Sequence, residues 1–145
     1  MTMPEGGFNQ IGCDCCGGVN CLHCHPAITG ASIELTVTGF GGGTDSECDS
    51  INDTVSLIYV YGCLWQATKT VTVAGLDYTY LYQFFYIVGI GWRLHIIINT
   101  DSGGMGYQSD VLSDPCSPTG LMFDTFENFP SGGLVACDTI GTATT

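Results

Sequence analysis

The chain has 145 residues, 45% of them hydrophobic, which is enough for one domain with a buried core. Its charge is strongly unbalanced, because Lys69 and Arg93 stand against 14 Asp and Glu residues and the net charge is -12. Binding to a phosphate backbone or to an anionic membrane surface needs several lysines or arginines. This composition therefore excludes nucleic acid and membrane surfaces as direct partners.

The first ten residues contain neither the basic nor the apolar segment of a signal peptide, so we expect none. No apolar run reaches the ~18 residues of a membrane-spanning helix. At the same time, nine cysteines and 21 glycines are typical of an extracellular β-protein. A protein of a virus particle, made in the cytosol and released by lysis, combines these properties. A trimmed signal or another export route would also combine them.

The segment 1–29 holds five of the nine cysteines and shows no regular hydrophobic spacing. We expect a cysteine-rich arm there, followed by a single β-domain at 30–145. Within the arm, two Cys-x-x-Cys pairs are formed by Cys13, Cys16, Cys21 and Cys24.

Two such pairs can hold a tetrahedral Zn²⁺ through four thiolates, although the gap between them is shorter than the ~15 to 20 residues that are usual. Zinc is therefore a candidate cofactor, and disulfides or free thiols are the alternatives. Other possible ligands are Cys15, His23 and His25.

After the arm, alternating apolar and polar residues at 33–38 predict a half-buried strand, and the glycine-rich acidic segment 39–53 predicts a loop. The segments that follow are rich in β-branched and aromatic residues, which favours strands over helices. We expect strands at 55–61, 63–73, 78–88, 92–98, 107–112, 121–126 and 134–142. Seven or eight antiparallel strands with glycine-rich turns predict an all-β sandwich or jelly roll.

The strand at 55–61 and the strands within 80–98 have apolar side chains on both faces. The strand at 78–88 carries Tyr78, Tyr80, Tyr82, Phe84 and Tyr86 on one face; the strand at 92–98 carries Trp92, Leu94, Ile96 and Ile98 on one face and Arg93, His95 and Ile97 on the other. A sandwich buries only one face of each sheet, so this surplus indicates a second buried surface, such as a contact between subunits. The aromatic run suits core packing, a subunit contact or a carbohydrate-stacking surface.

Four cysteines lie within the β-domain. Cys48 and Cys63 flank one extended strand, which spans ~26 Å, whereas the Cα atoms of a disulfide lie within ~7 Å. These two should therefore not pair with each other; Cys137 and Cys116 are better partners, and Cys63 is a candidate to pair with the N-terminal cluster. Because nine is an odd number, at least one cysteine is unpaired within the chain or bonded to another molecule.

No group of residues in the sequence predicts catalysis. His95 lies in the middle of a strand, near Arg93, and no nucleophile-elbow pattern accompanies it, which favours a surface or interface histidine. Acidic residues of the loop offer oxygens to Ca²⁺ without EF-hand spacing, which favours a solvated loop. These residues are Asp45, Glu47, Asp49 and Asp53, and Asn52-Asp53-Thr54 is in addition a glycosylation sequon.

Several segments together resemble a known group of proteins. They are the strand at 33–37, Cys48 with Ile51-Asn52-Asp53-Thr54, Cys63-Leu64-Trp65, Gly91-Trp92-Arg93-Leu94, and the late Cys116 and Cys137. Over about residues 30–140, this order resembles small cysteine-containing β-domains of tailed-phage structural proteins and of planctomycete secreted proteins. Asp53 stands where those domains usually have glycine. Because turn and core residues carry the resemblance, it implies a fold and no reaction.

We therefore predict a non-enzymatic structural protein of a virus particle, first as a phage capsid decoration (cement) protein and otherwise as a tail or fibre component. Its partners would be copies of itself in a homo-oligomer, or a major capsid or tail protein. Two alternatives remain open. One is an extracellular filament or surface-layer subunit, and the other is a glycan-binding module that uses the aromatic run.

Overall fold

A computed structural model of the chain describes residues 14–15, 19–20, 32–43, 45–61, 63–87, 90–101, 103–112, 118–129 and 136–145. The strands are β1 Asp14–Cys15, β2 Val19–Asn20, β3 Ile33–Thr38, β4 Asp53–Tyr61, β5 Leu64–Val73, β6 Leu76–Ile87, β7 Gly91–Thr100, β8 Gly103–Ser109, β9 Met122–Phe123, β10 Phe126–Phe129 and β11 Thr142–Thr144. A short 3-10 helix, Glu47–Ile51, precedes β4.

Nine strands form one antiparallel sheet in the order β10-β8-β7-β6-β5-β4-β3-β11-β9, and β1 pairs with β2 separately. The two edge strands, β9 and β10, are separated in the chain only by Asp124 and Thr125. In a flat sheet of this order they would lie about 38 Å apart, since neighbouring strands are ~4.8 Å apart. Two connecting residues span at most about 11 Å. The sheet therefore curls until its edges approach each other, and it is nearly closed into a barrel.

The prediction of an all-β antiparallel fold is confirmed. The finer prediction of a seven- or eight-stranded sandwich or jelly roll is not confirmed, because the nine strands belong to one continuous sheet. The expected strand at 121–126 is split into β9 and β10, and this break is where the chain passes from one edge of the sheet to the other. In the region expected as a strand at 134–142, the described part from 136 becomes a strand only at Thr142.

The sequence places a polar, glycine-rich turn at 99–106, but the structure has a shorter turn, because Asn99 and Thr100 belong to β7 and the glycines 103, 104 and 106 belong to β8. The two strands pair from His95 opposite Gln108 to Thr100 opposite Gly103. Gly106 fits in this strand because the ring of Phe129, directly opposite on β10, occupies the space of a side chain there. An aromatic ring that covers a glycine on a neighbouring strand stabilises a position that strand propensity alone disfavours.

Between the strands expected at 63–73 and 78–88 the sequence places a turn at 74–77, and the hairpin of β5 and β6 confirms a turn there that is limited to its first two residues. Val73 pairs with Leu76, so that only Ala74 and Gly75 form the loop. Their φ angles are 52° and 81°. Positive φ at both central positions is the geometry of a type I′ turn, whose twist matches that of the two strands. This turn sets the register of the β5–β6 ladder, in which ten residue pairs face each other.

The inner face of the sheet holds the aromatic core. Five of the six rings in the run 78–86 point into it, and Tyr80, Tyr82 and Phe84 are completely buried. The Phe84 and Trp92 rings stack at 4.8 Å with an angle of 9° between their planes, and Trp65 lies 5.8 Å from both. The core-packing interpretation of the aromatic run is confirmed, and these rings are not accessible for stacking on a sugar.

The 3-10 helix is held over the inner face by two tyrosines. The Tyr80 hydroxyl donates a hydrogen bond to the Glu47 carbonyl at 2.6 Å, and the Tyr82 hydroxyl donates to the Ile51 carbonyl at 2.7 Å. Burial raises the pKa of Tyr80 to about 12 and also raises the pKa of Tyr82. Both hydroxyls therefore keep their protons at neutral pH, as donors to a carbonyl must.

We expect Tyr82→Phe to lower the free energy of unfolding by about 1–3 kcal/mol, because the buried Ile51 carbonyl loses its donor. Urea denaturation measures this change. Tyr61→Phe is the matched control, since Tyr61 is 69% exposed and its substitution should change stability by no more than about 0.5 kcal/mol. Equal stability of Tyr82→Phe and the wild type would mean that this hydrogen bond does not hold the helix.

One disulfide joins Cys48 of the 3-10 helix to Cys137, 89 residues later in the chain. The prediction that Cys48 does not pair with Cys63 is therefore confirmed. The Cys137 amide also donates to the Tyr107 hydroxyl at 2.8 Å, so this segment is attached to both the helix and β8. Cys63 is disulfide-bonded as well. Its pairing with the N-terminal cluster stays a prediction.

Candidate functional site

The predicted zinc ligands Cys13, Cys16, Cys21 and Cys24 lie outside the residues that the structure describes. Between them, the backbones of β1 and β2 pair with Asp14 opposite Asn20 and Cys15 opposite Val19. Zinc binding by this segment stays a prediction.

Three of the four acidic side chains of the loop bind protein partners. Glu47 accepts from the Asp45 amide at 2.7 Å, Asp49 accepts from the Gly42 amide at 3.1 Å, and Asp53 pairs with Lys69 at 3.0 Å. The hydrogen bond from Lys69 lowers the pKa of Asp53. Among the described residues, no three His, Cys, Asp or Glu side chains converge on a common point. These acidic residues therefore fix the loop.

The sequon residue Asn52 also has a structural role. Its side chain accepts a hydrogen bond from the Phe40 amide at 2.9 Å and donates to the Phe40 carbonyl at 2.7 Å. A third bond runs from its amide nitrogen to the Asp49 carbonyl at 3.1 Å. Both ends of the Asn52 side chain are thus used to connect the loop to the start of β4.

The outer face of β5–β8 carries a row of polar side chains that crosses four neighbouring strands. Gln66 on β5 pairs with Gln83 on β6, Gln83 with His95 on β7, and His95 with Gln108 on β8. All four are half-buried. We call these four residues the amide row. Its amide and imidazole groups can donate and accept hydrogen bonds, which suits contact with a polar, uncharged surface.

The side chains of the amide row contact each other in pairs. The Gln83 amide nitrogen donates to the Gln66 oxygen at 3.2 Å, and His95 Nε2 lies 3.0 Å from the Gln108 oxygen. The His95 ring also lies between two aromatic rings, with centroid distances of 4.9 Å to Phe85 and 5.5 Å to Phe129. These contacts orient the imidazole on the face.

Apolar side chains flank the amide row on both sides. On one side, Leu81, Ile97 and Phe129 are half-buried; on the other side lie Leu64 and Phe85, also half-buried. The second set continues onto β4 at Tyr61, which is 69% exposed and pairs with Leu64. Arg93, which pairs with Phe85, and Thr68, which pairs with Leu81, belong to the same two flanking rows. The outer face thus has a polar centre and mostly apolar margins.

A β-bulge turns Tyr61 outward. Tyr59 pairs with Trp65, and Tyr61 pairs with Leu64, so Val60 is an extra residue on β4. Without it, Tyr61 would share the inner face with Tyr59, because side chains alternate along a strand. With it, Tyr61 shares the outer face with Leu64, as directly paired residues do. Ile58, which pairs with Gln66 and is 57% exposed, extends the same surface.

The outer face is poor in charge although the whole chain carries -12. Among the outward-facing residues of β5, β6 and β7, the charged ones are Asp77, next to the β5–β6 turn, and Arg93. Glu127 lies at the end of the amide row, on the edge strand β10. The other acidic residues that the structure describes lie on other strands and in loops, so negative charge is segregated away from this face.

His95 is uncharged at neutral pH. Burial against the neighbouring side chains lowers its pKa below the usual 6.5, the hydrogen bond that Nε2 donates to the Gln108 oxygen acts in the opposite direction, and the charge of Arg93 lowers the pKa further. The neutral imidazole therefore donates through Nε2 within the amide row and has Nδ1 as an acceptor.

We expect the lowered pKa of His95 to make the protein less stable in mild acid. Between the unfolded pKa near 6.5 and the lower folded pKa, the unfolded chain binds a proton that the folded chain does not bind. The free energy of unfolding should therefore fall as the pH decreases below about 6.5. Denaturation of the wild type and of His95→Gln between pH 7.5 and 5 measures the effect. Only the wild type has the imidazole, so its free energy of unfolding should fall more toward low pH than that of His95→Gln, and the difference between the two should shrink. The other titrating groups are common to both proteins.

Comparison of the chain with family models, with curated proteins and with solved structures finds no match. Within the described residues, no helix has the length and apolar character needed to cross a membrane.

The sequence alone identifies one member of the amide row and misses the others. His95 and its neighbour Arg93 are expected at a surface or an interface because no catalytic partner accompanies them. No sequence pattern connects the three glutamines, since Gln66, Gln83 and Gln108 are spread over 43 positions of the chain. They form a row only when the register of four strands is known, and hydrophobic periodicity does not determine that register.

Proposed function

We propose that this chain is a non-enzymatic structural subunit of a virus particle and that it acts through contacts with neighbouring subunits. We place it on the capsid as a decoration (cement) protein, with a tail or fibre component as the alternative position. The observation that carries the proposal is the outer face, where Ile58 and Tyr61 are 57% and 69% exposed beside a charge-poor sheet surface. An exposed apolar area on a protein of high net charge is typical of a protein–protein contact.

The resemblance to phage structural β-domains supports the same role. The hydrogen bonds of the acidic loop and of His95 support it as well. The polar groups of the acidic loop bind each other, and His95 is held by an amide and two aromatic rings. Neither arrangement pairs a nucleophile with a base, as covalent catalysis requires. Stabilisation by burial at a subunit contact is the mechanism that this surface suits.

Mass spectrometry of density-purified particles from cells that produce the protein tests the proposal. We expect the chain in the particles, in a constant ratio to the major shell or tail protein, and cryo-electron microscopy then assigns its position. Presence in secreted filaments or in a surface layer, without particles, would instead favour the extracellular alternative. Absence from every assembly would contradict the structural role.

A pair of variants connects the assembly role to the outer face. Ile58→Ser with Tyr61→Ser should reduce incorporation into particles, because both side chains are exposed on that face. Met122→Ser with Ile140→Ser is the matched control, since these residues are 56% and 45% exposed and lie elsewhere on the molecule. Equal incorporation of both double variants would show that the outer face is not the contact.

A further inference from the structure

We infer that the outer face of β5–β8 binds the same face of a second copy of this chain in a two-fold symmetric dimer. The inference rests on the proposed role as a structural subunit and specifies both the surface and the partner. The contact would be centred on the amide row, Gln66, Gln83, His95 and Gln108, with Ile58 and Tyr61 at its margin.

Charge is the first argument for this surface. Two copies that each carry -12 repel each other, and the repulsion between two carboxylates becomes several times stronger where water is excluded. A contact between copies is therefore favoured where carboxylates are absent. Along the middle of β5, β6 and β7 the outward-facing residues include Arg93 and no carboxylate, whereas Asp77 lies beside the turn. Two copies can therefore bring the middle of these three strands together without placing carboxylates in the contact, and Glu127 lies at the end of the row, on β10.

Self-complementarity is the second argument. A two-fold axis places each group opposite groups of an identical surface, so the face must offer donors and acceptors together. Glutamine amides and a neutral imidazole do this without charge. The Gln83–Gln66 bond uses one amide atom of each residue and leaves the Gln83 oxygen as an acceptor and the Gln66 nitrogen as a donor. Neither atom has another partner within the part of the chain that the structure describes. Facing copies can pair them reciprocally.

The margins of the face suit the same partner. Leu81 and Ile97 lie on one side of the amide row, and Leu64, Phe85 and the exposed Tyr61 lie on the other. A two-fold axis that lies in the plane of the contact and runs along the row exchanges these sides, so that each margin of one copy meets the opposite margin of the other and Gln83 faces Gln83. A polar centre between apolar margins fixes the orientation of the dimer as well as its position.

Charge exchange at Gln83 tests the inference. Sedimentation velocity of the wild-type protein should give twice the chain mass of 15.3 kDa. Gln83→Glu alone and Gln83→Lys alone should each lose the dimer, since like charges then face each other across the axis. An equimolar mixture of the two variants should restore it. Thr144→Glu adds the same charge on β11, on the opposite wall of the barrel, and should leave the wild-type mass unchanged.

A monomeric wild type at all concentrations would overturn the inference, and so would a Gln83→Glu protein that keeps the dimer. If either Gln83 variant fails the circular dichroism check of folding, Ile58→Lys, at a 57% exposed position, replaces it with the same expected loss of the dimer. A monomer that binds a purified capsid or tail protein through this face would overturn the second copy as partner and leave the structural role intact. A dimer that is absent from particles would contradict the structural role alone.

Discussion

We expect Cys48→Ala with Cys137→Ala to lower the free energy of unfolding by about 4 kcal/mol. The disulfide closes a loop of 89 residues, and in the chain-entropy model a loop of that length restricts the unfolded state by about 4.6 kcal/mol. For a domain of this size, the midpoint of thermal unfolding should decrease by roughly 10 °C or more. Cys48 is fully buried beside the inner face, which adds the loss of its packing contacts.

The two single variants supply the control for this experiment. Because each removes the whole crosslink, Cys48→Ala and Cys137→Ala should each cost nearly as much as the double variant, so their effects are strongly non-additive. Differential scanning calorimetry under non-reducing conditions measures all three. Additive single effects would show that local packing at the two sites, and not the crosslink, stabilises the fold.

The periodicity of the sequence predicts the inner face of the barrel well. Alternation in the run 78–86 and in 92–98 identifies the side chains that become the core, and the structure buries them. This succeeds because a strand places every second side chain on the same face, whatever the sheet does at larger scale. The same pattern does not distinguish a two-sheet sandwich from a curled single sheet. That distinction depends on the short strands β9 and β10, which are two and four residues long.

The outer face could not be derived from the sequence, for three physical reasons. The bulge at Val60 reverses the orientation of Tyr61, and no residue type marks it. The glycines of β8 are unfavourable in a strand, and only the ring of Phe129 on another strand makes Gly106 suitable there. The amide row depends on the register of four strands. The last two reasons are contacts between segments that are distant in the chain, and the first is a detail of strand pairing within one hairpin. Local propensity contains no information about any of them.

The surplus of apolar residues that the sequence indicates is divided by the structure. The tyrosines of β6 are buried inside the barrel, and two of them donate hydrogen bonds to the 3-10 helix. The apolar surface that remains for a partner is smaller than the sequence indicates, and it lies on the outer face of the sheet. The residues with the greatest exposure there are Ile58 and Tyr61 at the end of β4. A partner that contacts this face adds to a molecule whose core is already complete. Folding of the barrel and association through the outer face can therefore be measured separately.

We expect Trp92→Ala to lower the free energy of unfolding by about 3–5 kcal/mol, the range for removal of a buried aromatic side chain. Trp92 is fully buried, stacks on Phe84 at 4.8 Å and contacts the Tyr86 ring edge-on at 5.0 Å. Its removal deprives the other rings of the aromatic cluster, Trp65 among them, of a packing contact. Urea denaturation followed by the fluorescence of Trp65 measures the loss.

Two matched variants separate the size of the ring from its position. Trp92→Phe keeps a ring that can stack on Phe84, and it should cost clearly less than Trp92→Ala. Phe85→Ala, on the outer face of the next residue pair of β6 and β7, removes a half-buried ring from the surface proposed for the dimer. It should cost less stability than Trp92→Ala but weaken self-association, whereas Trp92→Phe should leave self-association unchanged. If Phe85→Ala destabilised the monomer as strongly as Trp92→Ala, the outer face would belong to the folding core, and association through it could not be a separate step.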